Sequence, residues 1–135
     1  MDEVSAVLDS SALLAWLHLE PGALIVRSAL DKKAAMSTVN WAEVLTKLAD
    51  LGQNPDTVRG TLLNSGLFKN DLILWPLDEG LALATARLRA STRSSGLSLG
   101  DRACIALGQH LRLPILTADR AWKTLRFGVQ VQLIR

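Results

Sequence analysis

The sequence is poor in the residues that staple small folds. Its one cysteine, Cys104, rules out an internal disulfide, and no Cys/His cluster has zinc-type spacing. Such usage suits a reducing cytoplasm. No run of about 18 apolar residues occurs, so no membrane-spanning helix is expected. The start, Met1-Asp2-Glu3-Val4, lacks the positive charge and long apolar stretch of a secretory leader. Charge of one sign is scarce too: fifteen Lys and Arg against thirteen Asp and Glu leave a net charge of +2. A mild excess of this kind says little about nucleic acid. If several acids face inward, however, the remaining surface is distinctly basic.

What is present describes a globular chain. With 135 residues, 49% of them hydrophobic and 21% charged, residues 1–135 are expected to bury a core as one domain. Short apolar, β-prone runs stand at 4–8, 34–37, 72–75 and 114–117, and residues 129–134 alternate apolar and polar as an edge strand does. Helical spacing fills the intervals. It appears after Asp9 (Ala12, Leu13, Trp16, Leu17), from Pro21-Gly22 to about Leu30 with Pro in the first turn, and from Asn40 to Leu51 with Gly52 as its stop. Further helices are expected from Asn54-Pro55-Asp56 to about Gly66, from Glu79 to about Ala90, over 98–111, and briefly over 120–125. Ser91-Thr92-Arg93-Ser94-Ser95-Gly96 reads as a loop. Strands alternating with helices predict an α/β/α sandwich around a mostly parallel sheet.

Four acids follow a strand or open the next helix. Asp9 follows the first strand directly, Glu43 falls in the first turn of the helix after the second, Asp101 opens the helix at Ser98, and Asp119 stands two residues past Thr117. Each has a structural explanation. Asp9 and Asp119 suit N-caps, while Asn40-Trp-Ala-Glu43 and Ser98-Leu-Gly-Asp101 both resemble capping boxes. Their shared placement argues for more. The carboxyl ends of parallel strands form the crevice where ligands bind, so four acids at that edge would converge. Two carboxylates about 5 Å apart repel by about 3 kcal/mol at an effective dielectric near 20, and helix N-termini offset only about 0.3–1 kcal/mol per carboxylate. Such a pocket calls for cations or protonation. Hard oxygen donors without His or Cys indicate Mg2+, with Mn2+ able to substitute, rather than zinc. The other nine acids (Asp2, Glu3, Glu20, Asp31, Asp50, Asp56, Asp71, Asp78 and Glu79) read as solvated charges, with Asp78-Glu79 opening a helix.

At these residues the chain resembles a PIN-domain protein, specifically the VapC-type toxins of bacterial toxin–antitoxin pairs. The segments that carry the resemblance are Val7-Leu8-Asp9-Ser10-Ser11-Ala12-Leu13-Leu14, Ser37-Thr38-Val39-Asn40-Trp41-Ala42-Glu43-Val44, Gly96-Leu97-Ser98-Leu99-Gly100-Asp101-Arg102-Ala103 and Leu116-Thr117-Ala118-Asp119-Arg120-Ala121-Trp122. They occur in the family's order across nearly the whole chain. The resemblance implies a magnesium-dependent endoribonuclease that leaves 5′-phosphate and 3′-hydroxyl ends. It implies Asp9, Glu43, Asp101 and Asp119 as acidic ligands, and Ser10 and Thr117 as hydroxyls that steady a ligand or its water. It also implies a homodimer and a small cognate antitoxin encoded alongside.

Arg102 and Arg120, next to two of the acids, and Arg87, Arg89 and Arg93 beside the Ser-rich segment are candidates for gripping RNA phosphates; ordinary surface charge explains them equally. Cys104 suits a buried packing residue better than a nucleophile. His18 and His110 lack partners at ligand spacing, and the four tryptophans sit on apolar faces. Two rival functions stay open. One is a phosphatase with Asp9 as nucleophile, although Ser11 stands where such enzymes usually carry a second acid. The other is an RNA- or protein-binding module of the same fold without turnover.

Overall fold

The computed structural model describes residues 3–135; Asp2, read above as a solvated charge, lies outside them. Five strands form the sheet: β1 (Ala6–Leu8), β2 (Ala34–Ser37), β3 (Leu72–Trp75), β4 (Ile115–Thr117) and β5 (Val131–Leu133). Their order is β3-β2-β1-β4-β5, and every pairing is parallel. Six α-helices lie around it: α1 (Ser10–Leu17), α2 (Ala23–Asp31), α3 (Thr38–Asp50), α4 (Pro55–Asn64), α5 (Glu79–Thr92) and α6 (Leu99–Leu111). The expected α/β/α sandwich is the one observed, with the sheet wholly parallel and β5 at its edge. No helix among the described residues is long and apolar enough to cross a membrane.

Side-chain alternation along each strand divides the core into two layers. Ala6, Leu8, Ala34, Met36 and Leu116 face α1–α4 and pack with Leu13, Val26, Leu30, Val44 and Leu48. Val7, Ala35 and Ile115 face the opposite side, with Leu81, Cys104, Leu107 and Trp122. Trp41 and Trp122 are buried, whereas Trp16 and Trp75 are only half-buried. Because the chain steps from β1 to β2 and β3 on one side, then crosses to β4 on the other, the topology switches at β1. A crevice therefore opens beyond the carboxyl ends of β1 and β4.

Several local expectations are corrected. Pro21 precedes α2 instead of entering its first turn; Gly22 caps the helix at φ +97°, and a Cβ there would stand 2.6 Å from the Ile134 carbonyl oxygen. Helix α3 begins at Thr38, because Ser37 both ends β2 and caps the helix through its side chain. Glu43 consequently lies in the second turn, and Asn40 is an interior residue rather than a cap. Residues Leu67–Asp71 form one π-helical turn that no sequence period announced. The Ser-rich segment is less of a loop than expected, since α5 continues through Thr92 and a 3-10 turn covers Arg93–Ser95.

Candidate active site

Asp9 leaves β1 at the switch point and caps α1, its Oδ1 accepting from the Ala12 amide at 2.8 Å. It is only 5% exposed. Two hydroxyls complete its shell. Ser11 donates to Oδ1 at 2.7 Å, and Thr117, at the end of β4, donates to Oδ2 at 2.5 Å. Each hydroxyl is oriented in turn by the loop after β4: the Ala118 amide donates to Ser11 Oγ at 2.9 Å, and the Asp119 amide to Thr117 Oγ1 at 3.0 Å. Thr117 thus stands where a steadying hydroxyl was expected. From α1 the hydroxyl that reaches Asp9 is that of Ser11, the second helical residue. Burial pushes the Asp9 carboxyl up to about 6; the Thr117, Ser11 and Ala12 hydrogen bonds pull against this, and the nearby Asp101 charge adds to it.

Glu43 comes from the second turn of α3 and lies against the start of α6. Asn40 Nδ2 donates to its Oε1 at 2.8 Å and to the Gly100 carbonyl at 3.0 Å. Gly100 makes this approach possible, since a Cβ there would meet the Glu43 carboxylate atoms at 2.3–2.5 Å. Asp101, one residue on, completes a capping box: Ser98 Oγ accepts from its amide at 3.1 Å and its Oδ2 accepts from the Ser98 amide at 3.0 Å. The capping geometry is real for this residue. Asp119 is exposed and caps the 3-10 turn Arg120–Thr124 through the Ala121 amide at 3.0 Å.

The buried Cys104 thiol sits behind this group. Burial raises its pKa well above the usual value, and the charges of Asp9, Asp101 and Glu43 raise it further. A thiol held protonated in this way is no nucleophile. Among the described residues, no three His, Cys, Asp or Glu side chains stand close enough to ligate a shared metal. The physical reason is visible in the hydrogen bonds. Glu43, Asp101 and Asp119 each accept from a donor of their own helix start or helix face, and Asp9 accepts from Thr117 on β4 as well as from its own helix. Mg2+ fits such a set, because it retains several waters and takes only one or two carboxylates directly. Glu43, Asp101 and Asp119 each commit one oxygen to the protein donors named above, leaving the other oxygen for water or metal.

The candidate cations divide. Arg102 is half-buried and donates to the Thr85 carbonyl at 3.1 Å, tying α6 to α5. Arg87, Arg89, Arg93 and Arg120 are exposed. Both histidines are exposed, and the His110 ring stands edge-on to Trp75 at 6.3 Å. Asp78 caps α5 through the Leu81 amide, as its helix-opening position suggested. A cavity of about 400 Å³ between α1, α3 and α4, lined by Leu17, Leu48, Val58 and Leu62 and by polar residues including Gln53, Asn54 and Thr57, contains none of the four acids.

A sequence profile of the PIN domain family matches residues 6–128, and the chain belongs to that family, whose members are nucleases. Solved structures share the fold. DNA-bound VapBC from Salmonella typhimurium superposes with a TM-score of 0.71 at 14% identity, covering 98% of this chain and 100% of that one. A toxin–antitoxin complex from Klebsiella pneumoniae gives 0.69 at 19% identity, covering 97% and 98%. VapBC-1 from nontypeable Haemophilus influenzae gives 0.69 at 19% identity, covering 96% and 97%. At these identities the likeness is one of fold. No curated protein matches the sequence.

Proposed function

We propose that this chain is a magnesium-dependent endoribonuclease and the toxin of a VapC-type toxin–antitoxin pair. The observation that carries the nuclease reading is the buried Asp9 at the β1/β4 switch point, with both carboxylate oxygens held by Ser11, Ala12 and Thr117, while Glu43 packs against the Gly100 that precedes Asp101. Asp9, Glu43 and Asp101 would hold the ion, directly or through water, with Asp119 completing a second position or orienting the attacking water. Bound there, Mg2+ neutralises phosphate charge and lowers the pKa of water.

The chain's own residues supply the preorganisation. Ser11 and Thr117 hold both oxygens of Asp9, so its carboxylate is aimed before any ligand arrives. Asn40 and the Ser98 amide do the same for Glu43 and Asp101. Exposed Arg120, beside Asp119, would meet RNA phosphate. Toxin assignment and cognate antitoxin rest on the fold shared with the VapBC and toxin–antitoxin complexes, and the homodimer on the family resemblance alone. Purified chain should cut total RNA in Mg2+ or Mn2+ and stop in chelator, and co-expression of the neighbouring gene's product should relieve toxicity. Cleavage indifferent to chelator and to Asp9→Asn would refute the metal reading. A neighbour that neither binds nor protects would refute the toxin reading alone.

A further inference from the structure

We propose that Asn40 is a positioning residue that sets where the Glu43 carboxylate stands relative to α6; the inference rests on the metal-dependent reading above. Asn40 is 1% exposed and lies on the buried stripe of α3 with Val44 and Leu48. Its two N–H groups bridge Glu43 Oε1 and the Gly100 carbonyl. Those are two acceptors, one of them a carboxylate, from different helices. They repel unless a donor stands between them, and Asn40 is that donor. The amide cannot be turned over, because its oxygen would then face both acceptors. Its Oδ1 is buried and meets no partner among the described residues. An asparagine kept only to fill space would be satisfied or replaced by an apolar residue of the same size. Asn40 leaves its own acceptor unmatched while fixing Glu43 to the helix that carries Asp101. The distance between two acids on separate elements is thereby set by one side chain.

The test uses Mn2+ alone as the probe, its free concentration followed by the EPR signal, on the full chain. Parent, Asn40→Leu, Glu43→Gln and the Asn40→Leu/Glu43→Gln double variant are compared, with metal-free thermal melts alongside. Leucine keeps the branched shape, is somewhat larger and removes the donor; Asn40→Ala removes the donor without any risk of overpacking. Asn40→Leu is expected to weaken Mn2+ binding about tenfold, as for other residues that orient a ligand, while melting metal-free within a few degrees of the parent. In the Glu43→Gln background it should change Mn2+ affinity less than twofold. Unchanged affinity on removing Asn40, or equal weakening in both backgrounds, overturns the inference while leaving the metal site intact. A parent that binds Mn2+ no better than Glu43→Gln overturns the metal-site reading itself, and the inference with it.

Discussion

Gly100→Ala is the smallest change that should disable the site. The added Cβ would stand 2.3 Å from Glu43 Oε2, whereas ordinary contact begins near 3.4 Å, so the carboxylate must retreat by about 1 Å. Glu43 is a flexible side chain, so the backbone need not move. The retreat instead breaks the Asn40–Glu43 hydrogen bond, a charge-assisted contact worth about 1.5–3 kcal/mol. Better helix propensity returns up to about 1 kcal/mol. A net loss of about 0.5–2 kcal/mol follows, or roughly 2–7 °C in melting temperature for a chain of this size. The effect on rate should be much larger, because a 1 Å misplacement in a preorganised site costs on the order of 100-fold. The assay is single-turnover cleavage of a labelled RNA in saturating Mg2+, with thermal melts in parallel. Gly60→Ala is the matched control. Gly60 lies within α4, and its Cβ would meet nothing within 4 Å, so that variant should gain up to about 1 kcal/mol and cleave as the parent does. Gly100→Ala cleaving within about threefold of the parent, against the roughly 100-fold loss expected, would refute the reasoning.

Three further outcomes follow from the same geometry. Asp9 is pushed up to about 6 from 3.8, so the native chain binds more protons than the unfolded one between those values. Metal-free stability should therefore fall by about 3 kcal/mol as pH rises through that window, then level off. Denaturant midpoints in chelator should show this in the parent and not in Asp9→Asn; identical pH profiles would contradict it. Asp101→Ala should lose about 0.5–2 kcal/mol in chelator because its capping box is gone. Asp101→Asn retains an oxygen for the cap, keeps most of that stability, and loses the stabilisation that Mg2+ gives the parent by mass action; melts with and without Mg2+ separate the two roles. Ser11→Ala strips a donor from Asp9 and an acceptor from the Ala118 amide, and should cost about 1–3 kcal/mol, whereas Ser10→Ala should stay within about 0.5 kcal/mol. Melts that show the reverse order would return the steadying part to Ser10.

The fold was legible because each strand is a short apolar run between helical periods; which face each strand residue takes was not, since Val7, Ala35 and their neighbours are all apolar, and the two packed layers sort them. Asp9 and Thr117 were legible for the same reason, since they follow strands. Helix α3 hid its start. Ser37 ends a strand and caps a helix with no loop between them, so Asn40 looked like the cap and Glu43 like a first-turn acid. Yet Asn40, Val44 and Leu48 share one stripe, and a polar residue on that stripe was the signal that it served something other than packing. Its partner Gly100 is 60 residues away in sequence, as Ala118 is 107 residues from Ser11, and no local pattern encodes either contact. The separation of the acids was not legible either. Placement at one sheet edge suggests shared ligation, but only the hydrogen bonds show each carboxylate drawn onto its own donors.

The central claim, that these acids act together on one hydrolysis, is tested most directly by cutting a single 5′-labelled RNA with parent, Asp9→Asn, Glu43→Gln, Asp101→Asn and Asp119→Asn. Each protein is first shown to be folded by circular dichroism. The parent should require Mg2+ or Mn2+, stop in chelator, and leave 5′-phosphate and 3′-hydroxyl ends. Asp9→Asn, Glu43→Gln and Asp101→Asn should each be slower by on the order of 100-fold or more. A parent that cuts equally well in chelator, or folded variants that all cut at the parent's rate, would contradict it.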